Sequence, residues 1–254
     1  MKVPPITLVV PLFNEAGRWD RHYWEALTDL KDISWLFVDD GSTDSTVDLI
    51  EPLRALPNVS LYKLRRNRGK ANAVRTGLRE AIGSGCQGVG FLDGDGAFHR
   101  SDVAALTETF KASCAFTPNK SSESHTWESI WASRVALAGR DIRRRASRHY
   151  IGRVIATVIS TGLPGVPYDT QCGFKLFRSS RQFSACLEEP FTTRWFFDVE
   201  LLQRWLIATG EPMKVWEVPL SHWRDVPGSK ISTRSAGQIA RELVFIGKQN
   251  RRLP

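Results

Sequence analysis

The chain has 254 residues, of which 42% are hydrophobic and 24% charged, a composition typical of a globular protein with a sizeable core. The formal net charge of +8 favours an anionic partner but does not distinguish nucleic acid, phospholipid and phosphorylated substrate. The four cysteines form no C-x-x-C pair, which argues against a zinc site and a disulfide framework and fits a reducing cytoplasm. No run of about 18 apolar residues occurs, so we expect no spanning helix, and prolines in the apolar N-terminal patch argue against a signal peptide.

Short apolar runs alternate with helical patterns over the first hundred residues. Runs rich in β-branched and aromatic residues predict four strands, at 6–13, 34–40, 58–64 and 88–96. Apolar residues spaced three and four apart predict three helices, at 19–30, 45–55 and 70–83. This βαβ alternation predicts an α/β fold with a parallel sheet covered by helices, and it places ligands at the carboxyl ends of the strands.

The pattern is less regular after residue 97. The segment 139–153, GRDIRRRASRHYIGR, contains six arginines against one aspartate. Apolar residues follow it at helical spacing, so the stretch near 140–163 is predicted to be basic and amphipathic, as at a membrane interface. Burial in the core explains the same apolar stripe equally well. No linker-like tract separates two domains, so we expect a single domain over residues 1–254.

Acidic residues stand at the ends of two predicted strands, Asp39 and Asp40 after one and Asp93 and Asp95 after another. Both pairs are expected to face one crevice. Two carboxylates one residue apart can hold a hard divalent cation, Mg²⁺ or Mn²⁺, against a diphosphate. A turn is the alternative for the D-G-D motif, because Asp and Gly are favoured in turns. Adjacent carboxylates at the end of an apolar strand would be costly without a partner, which favours a functional Asp40.

Four segments carry a family resemblance. VVPLFNEAGRW, FVDDGSTDSTVDLI, RNRGKANAVRTGL and FLDGDGAF occur in this order, and their succession resembles the inverting nucleotide-sugar glycosyltransferases of family 2. The resemblance implies a Rossmann-like GT-A domain with a central, mostly parallel mixed sheet flanked by helices. It also implies a nucleoside diphosphate sugar as donor, bound by the half of the chain over about 1–100. The donor-binding residues that it implies by position are Pro11, Asn14, Glu15, Asp40 and Asp93. Gly94 and Lys70 are further donor-binding candidates on physical grounds, Gly94 because a glycine lets the ligand approach the backbone.

Within that set, the resemblance implies that Asp40 contacts the base and that Asp93 and Asp95 hold ribose and metal. Lys70 opens a predicted helix, where a cation is unfavourable unless an anion such as a diphosphate lies beside it. The family usually has a second glycine shortly after this lysine, whereas this chain has Ala71-Asn72-Ala73. A solvated surface lysine is therefore the alternative.

Two motifs in the second half narrow the class. YDTQCGFKLF (168–177) and RWFFDVELL (194–202), with GSKIS (228–232), resemble enzymes that glycosylate dolichyl and other polyprenyl phosphates, in particular the dolichyl-phosphate β-glucosyltransferases. This resemblance implies transfer of a sugar, glucose by preference, from a UDP-sugar to a polyprenyl phosphate bound by the half over about 101–254. The catalytic residues predicted for the reaction are Asp95, Asp169 and Asp198.

A lipid phosphate is already anionic, so it needs positioning and charge neutralisation rather than a general base. Guanidinium groups can take phosphate oxygens in bidentate fashion, and we expect Arg140 and Arg148 to do so, with Lys230 as a further candidate and Gln171 nearby. Each of these residues also has a structural explanation. The arginines would form a solvated basic face, and Asp169 would satisfy hydrogen bonds in a turn. Asp198 would be favoured by the dipole in the first turn of a helix.

These features together predict an enzyme that acts peripherally at the cytoplasmic face of a membrane. Its expected partners are a nucleotide-sugar, a polyprenyl phosphate and an anionic membrane surface, and no nucleic acid, which the acid pairs would repel. Two alternatives stay open. A family 2 transferase with a hydroxyl acceptor would share the donor half, and a nucleotide-sugar sensor would bind the donor without turnover.

Overall fold

A seven-stranded mixed sheet forms the centre of the protein. The computed structural model describes residues 6–115, 127–143, 155–157, 159, 162–226, 236–251 and 253. The strands of the sheet, in spatial order, are β3 (Val59–Lys63), β2 (Ile33–Asp39), β1 (Ile6–Leu12), β4 (Gly88–Leu92), β7 (Phe174–Arg178), β5 (Ser129–Ser133) and β8 (Val215–Pro219). A small parallel sheet pairs β6 (Asp141–Arg143) with β9 (His222–Arg224).

Helices cover both faces of the sheet. They are α1 (Arg21–Thr28), α2 (Thr46–Ile50), α3 (Lys70–Gly83), α4 (Arg100–Ala115), α5 (Arg181–Cys186), α6 (Phe197–Thr209) and α7 (Ala236–Asn250). Short 3₁₀ helices occur at Ala16–Arg18 and Glu51–Ala55. Among the described residues, none of the helices combines the length and the apolar character needed to cross a bilayer.

The α/β class is confirmed, together with the four strands and three helices expected in the first hundred residues. The helix expected at 45–55 divides into α2 and a 3₁₀ helix. Pro52 explains the division, because it has no backbone N–H to continue the α-helical hydrogen bonds. The strand expected at 88–96 ends at Leu92, so the D-G-D motif lies in the turn that follows.

Alternate residues of the strands pack into two separate cores. On β1, Leu8 and Val10 belong to the core that includes Trp24 of α1, whereas Val9 belongs to the core that includes Val74 of α3. Leu8, Val9 and Val10 have no exposed surface, so β1 is covered on both faces. A sheet that is buried on both faces holds its strand ends firmly, which favours a site at that edge.

Strand β7 runs antiparallel to both of its neighbours, β4 and β5. Because of this reversal, the amino end of β7 lies beside the carboxyl end of β4, and Phe174 pairs with Leu92. The residues just before β7 therefore meet the D-G-D turn just after β4. In this way the YDTQCGFKLF motif of the second half comes to the same edge of the sheet as the acidic motifs of the first half.

Candidate active site

A cavity of about 420 Å³ opens at the carboxyl ends of β1, β2 and β4, where the βαβ pattern predicts ligands. Its volume lies in the range usual for small-molecule sites. Its lining residues are Pro11, Leu12, Phe13, Arg18, Asp40, Asn67, Gly69, Lys70, Ala73, Asp93, Gly94, Asp95, Arg194, Trp195 and Gln238. The lining thus brings together six of the residues predicted to bind the donor or metal, namely Pro11, Asp40, Lys70, Asp93, Gly94 and Asp95.

Asp40 fixes the loop that leads into α3. Its two carboxylate oxygens accept the backbone N–H groups of Arg68 at 2.8 Å and Gly69 at 2.7 Å. Burial raises the pKa of Asp40 above its usual value, and the two N–H donors oppose that rise. Asp40 thus lies in the cavity, as the sequence predicts, and shapes its wall. Its contact with a nucleotide base stays a prediction.

Asn14 and Glu15 brace the loop after β1 without lining the cavity. The Asn14 side chain accepts the N–H of Thr43 at 2.8 Å, and the backbone N–H of Glu15 donates to Thr46 Oγ1 at 2.8 Å. The Glu15 carboxylate pairs with Arg18, which does line the cavity. Both residues therefore act on the cavity through the position of the loop, and direct contact with the nucleotide stays a prediction.

The two acids of the D-G-D motif lie side by side at the end of β4. Burial, followed by the charge of Asp93, raises the pKa of Asp95. The backbone N–H of Asp93 donates to the carbonyl of Gly173 at 2.9 Å. A Cβ atom on Gly173 would lie 2.2 Å from the Asp93 carboxylate, so only glycine leaves this acid its place. The glycine of the second-half motif therefore has a steric function at the acidic pair.

These two carboxylates fit a divalent cation. They are hard oxygen donors at one strand end, and burial, followed by the charge of Asp93, raises the pKa of Asp95, so a cation at this place would favour the charged carboxylate. The described part of the chain contains no group of three or more His, Cys, Asp or Glu side chains placed to hold a metal ion. Asp93 and Asp95 would therefore be the protein's carboxylate contribution, with further ligands from a diphosphate and water.

Lys70, the first residue of α3, places a positive charge next to the acidic pair. Its Nζ lies 2.6 Å from Asp93 Oδ1 and above the rings of Phe91 and Phe197, at 5.7 and 5.9 Å. Burial lowers the pKa of Lys70, but the charges of Asp93 and Asp198 outweigh it, so the net shift is upward. Lys70 thus lies in the cavity at a helix N-terminus, and its contact with a diphosphate stays a prediction.

Asp169 is held in an ion pair. Both of its oxygens contact the guanidinium of Arg134 at 2.7 Å, and the backbone N–H of Arg134 adds a further hydrogen bond at 3.0 Å. Glu217 in turn accepts the N–H groups of Tyr168 and Asp169, each at 2.7 Å. The arrangement favours Asp169 as an organiser of the loop before β7 rather than as a proton acceptor.

Asp198 is also paired, because its Oδ1 lies 2.9 Å from Nζ of Lys175. It is 4% exposed and does not line the cavity. Burial raises the pKa of Asp198, with Lys175 and Lys70 opposing the rise. The helix it opens, α6, agrees with the predicted pattern. The charge partner within the protein is the feature that the sequence did not reveal.

The predicted acceptor residues have mixed outcomes. Arg140 is exposed, donates a hydrogen bond to Ser221 Oγ and does not line the cavity. Gln171 has a buried Nε2 without a hydrogen-bond partner among the described residues, and it does not line the cavity. Arg148 and Lys230 lie outside the described residues, as does most of the predicted basic segment. The acceptor assignments stay predictions.

The cavity also contains residues that the sequence did not single out: Arg18, Arg194, Trp195 and Gln238. Gln238 donates to Glu242 at 3.0 Å, and Glu242 accepts the N–H of Trp195 at 2.8 Å, so α7 supports this wall. The RWFFDVELL motif includes Arg194 and Trp195, but no local pattern shows that it reaches the donor cavity. Only the fold brings them there.

Comparison with known proteins agrees with this geometry. Residues 7–165 match the family model described as "Glycosyl transferase family 2". A dolichyl-phosphate beta-glucosyltransferase of Saccharomyces cerevisiae is 30% identical over 259 residues, with 95% of this chain and 73% of the relative covered. The Homo sapiens protein of the same name is 29% identical over 269 residues, with 95% and 74% covered.

Two solved structures share the fold. The mannosyltransferase PcManGT from Pyrobaculum calidifontis, in complex with GDP-Man and Mn²⁺, aligns with a TM-score of 0.62 at 18% identity, over 99% of this chain and 66% of that one. A glucosyl-3-phosphoglycerate synthase from Mycobacterium tuberculosis, in complex with Mn²⁺, UDP and phosphoglyceric acid, aligns with a TM-score of 0.67 at 14% identity, over 99% and 80%. The likeness confirms the GT-A fold. The family model covers more than half of the 254 residues, and the chain therefore belongs to glycosyl transferase family 2 and is a glycosyltransferase.

Proposed function

We propose that the protein transfers glucose from UDP-glucose to a dolichyl or other polyprenyl phosphate, with inversion at the anomeric carbon and with Mg²⁺ or Mn²⁺. The observation that carries the proposal is the cavity in which Asp93, Asp95 and Lys70 meet at the carboxyl ends of the strands. The names of relatives that match 95% of the chain support the acceptor and the sugar. The complexes of structural neighbours with UDP, GDP-Man and Mn²⁺ support a nucleotide-sugar and a metal.

The donor half binds the nucleotide and takes up the charge of the departing diphosphate. Asp93 and Asp95 would hold the divalent cation, which supplies Lewis-acid neutralisation of the diphosphate. The ammonium of Lys70 and the guanidinium groups of Arg18 and Arg194 line the same cavity and add positive charge. Asp40 holds the loop before α3 through the N–H of Gly69. Gly69 has a positive φ and no side chain, which lets the donor approach the backbone of this loop.

The acceptor phosphate needs no general base, and two of the three predicted catalytic acids are held in a way that agrees with this. Asp169 and Asp198 are each tied to a cation, so neither is free to take a proton from a hydroxyl. In the proposed reaction a phosphate oxygen forms a bond to the anomeric carbon while the bond from that carbon to the UDP oxygen breaks on the opposite face. An α-linked donor then gives a β-linked product, and UDP leaves with the electron pair.

We also propose that the enzyme works peripherally at the cytoplasmic face of a membrane. The acceptor class is a membrane lipid, and the +8 net charge favours an anionic surface. Arg140, Arg148, Lys230 and Gln171 stay the proposed contacts of the acceptor phosphate.

The test is incorporation of radiolabelled glucose from UDP-glucose into an organic-extractable lipid by the purified protein. Reactions contain a short polyprenyl phosphate and Mg²⁺ or Mn²⁺, with EDTA and lipid-free controls. The proposal predicts label in the lipid only when metal and phosphate are both present. Hydrolysis of the donor without transfer would support the nucleotide-sugar site and contradict the lipid phosphate as acceptor.

The metal assignment has its own variant. Asp95→Ala removes one of the two carboxylates and is expected to abolish both transfer and the response to Mn²⁺, while the thermal unfolding temperature stays within a few degrees. Full activity in this variant would remove Asp95 from the site.

A further inference from the structure

Lys175 is a lysine in the middle of a buried strand. Its side chain on β7 has no exposed surface and stands directly opposite Phe91 on β4 and Trp131 on β5. Its Nζ lies 5.2 Å from the centre of the Phe91 ring and 4.4 Å from that of Trp131. Lysine is almost never fully buried unless it is paired, so this residue needs a specific reason for its place.

The ammonium of Lys175 makes three short polar contacts. It donates to the carbonyls of Thr170 at 2.9 Å and Cys172 at 2.8 Å, and it lies 2.9 Å from Asp198 Oδ1. Thr170 and Cys172 belong to the segment before β7 that carries Gly173, the residue against which Asp93 packs. The Lys175 side chain therefore contacts both the segment before β7, which packs against the D-G-D motif, and the first turn of α6.

The charges continue from Lys175 toward the cavity with alternating sign. Asp198 lies 2.9 Å from Lys175, and the ring of its chain neighbour Phe197 lies 5.9 Å from Nζ of Lys70, which contacts Asp93 at 2.6 Å. The negative charge of Asp198 also helps to raise the pKa of Lys70. The ring of Phe91 lies under both ammonium groups, at 5.2 Å from Lys175 and 5.7 Å from Lys70. The row of Lys175, Asp198, Lys70 and Asp93 thus joins the buried core of the second half to the proposed diphosphate pocket.

A buried ion pair is weak support for stability, because well-packed apolar residues of similar volume usually serve a fold as well or better. Lys175 lies against the rings of Phe91 and Trp131, which an apolar residue at this position could also pack against. Its place at the end of a row of charges that reaches the cavity points instead to a role in the reaction.

We propose that Lys175 is a positioning residue of the transfer site: with Asp198 it holds the ammonium of Lys70 at the Asp93 carboxylate, where that ammonium meets the diphosphate of the donor. This inference rests on the proposed nucleotide-sugar site, and it does not depend on the identity of the acceptor. Lys175 itself touches no substrate. Its effect passes through Lys70.

The test is a double-mutant cycle between Lys175→Met and Lys70→Met. The readouts are the dissociation constant of UDP with Mn²⁺, measured by calorimetric titration, and kcat for transfer. Each single variant is expected to weaken UDP binding about tenfold, as expected for loss of one charged hydrogen bond. The double variant should be no more than about twofold weaker than Lys70→Met alone, because residues that act through one another are not additive.

Arg178→Met is the matched control. Arg178 lies three residues further along the same strand, and like Lys175 it donates to two backbone carbonyls, those of Trp127 and Ser113. It does not line the cavity. This variant is expected to lose stability yet to keep its UDP affinity within twofold, which separates a positioning role from damage to the strand.

If Lys175→Met alone does not fold, Lys175→Met/Asp198→Met takes its place in the cycle. The double substitution leaves no unpaired charge, and it should fold while still weakening UDP binding about tenfold. UDP affinity within twofold of wild type in a folded Lys175 variant would overturn the proposal, and so would losses that multiply in the cycle. Wild-type protein that shows the coupling but transfers no glucose to lipid would overturn the proposed acceptor and leave this inference standing.

Discussion

Gly173→Ala tests the link between the two halves of the site with the smallest possible change. The added Cβ would lie 2.2 Å from the Asp93 carboxylate, whereas real Cβ contacts essentially never fall below 3.0 Å. The carboxylate or the loop must therefore move by roughly the missing 0.8 Å, the difference between these two distances. The neighbouring hydrogen bond from Asp93 to the Gly173 carbonyl limits how far the loop can yield.

A displacement of about 1 Å in a catalytic group can cost about 100-fold in rate. We therefore expect kcat for glucose transfer to fall about 100-fold in Gly173→Ala, with a higher Mn²⁺ concentration needed for half-maximal activity. Overpacking of this kind typically costs about 1–3 kcal/mol of stability, so the variant should still fold. The assays are transfer at a series of Mn²⁺ concentrations and urea unfolding.

Gly83→Ala is the matched control, because a Cβ there meets nothing within 4 Å and the residue ends α3. It should keep full activity and gain up to about 1 kcal/mol, the usual advantage of alanine over glycine in a helix. Gly173→Ala with kcat and Mn²⁺ response within twofold of wild type would refute the steric reasoning and the assignment of Asp93 to the site.

Three further predictions concern single features of the fold and site. Arg134→Met removes the guanidinium that pairs with the buried Asp169 carboxylate, so it should lower the free energy of unfolding in urea by about 3–5 kcal/mol. The control Arg143→Met removes an exposed pair with Asp141 and should lower it by less than about 1 kcal/mol. Equal losses in the two variants would contradict a stabilising role of the buried pair. Arg194→Met should weaken UDP binding about tenfold in calorimetric titration with an unchanged unfolding temperature, since the side chain lines the cavity and is exposed; unaltered affinity would remove Arg194 from the donor site. Burial raises the pKa of the Cys172 thiol to about 12 and that of Cys186 to about 11, and Cys86 is buried as well, so Ellman's reagent at pH 8 should modify at most one thiol in the folded protein and four after denaturation. Rapid modification of two thiols in the native state would show that these sites open readily.

The positions of several cavity residues could be predicted from the sequence because the signals for them are local. An apolar run followed directly by acids, as at Asp93, predicts both a strand and a ligand site at the carboxyl end of that strand. The edge position of Asp40 and the helix start at Lys70 follow from the same βαβ pattern. All three residues line the cavity as predicted.

The contacts of the second half could not be predicted because they join distant positions. Asp169 meets Arg134 across 35 residues, and the buried Lys175 meets Asp198 across the rest of β7 and helix α5. In both cases the sequence shows an acid with a turn or a helix dipole as sufficient explanation, and its partner carries no motif of its own. The reversed direction of β7, which brings the segment with Asp169 beside the end of β5, has no signature in the periodicity of the chain.

The most direct test of the proposed reaction compares two lipid acceptors that differ only in the phosphate group. Purified protein receives radiolabelled UDP-glucose and Mn²⁺ with either a polyprenyl phosphate or the polyprenol of the same length. The proposed reaction predicts a mild-acid-labile glucosyl phosphate with the first lipid and no product with the second, because Asp169 and Asp198 are each held by a cation and are not free to deprotonate a hydroxyl. Glucosylation of the polyprenol at a comparable rate would contradict it and assign the enzyme to a hydroxyl acceptor.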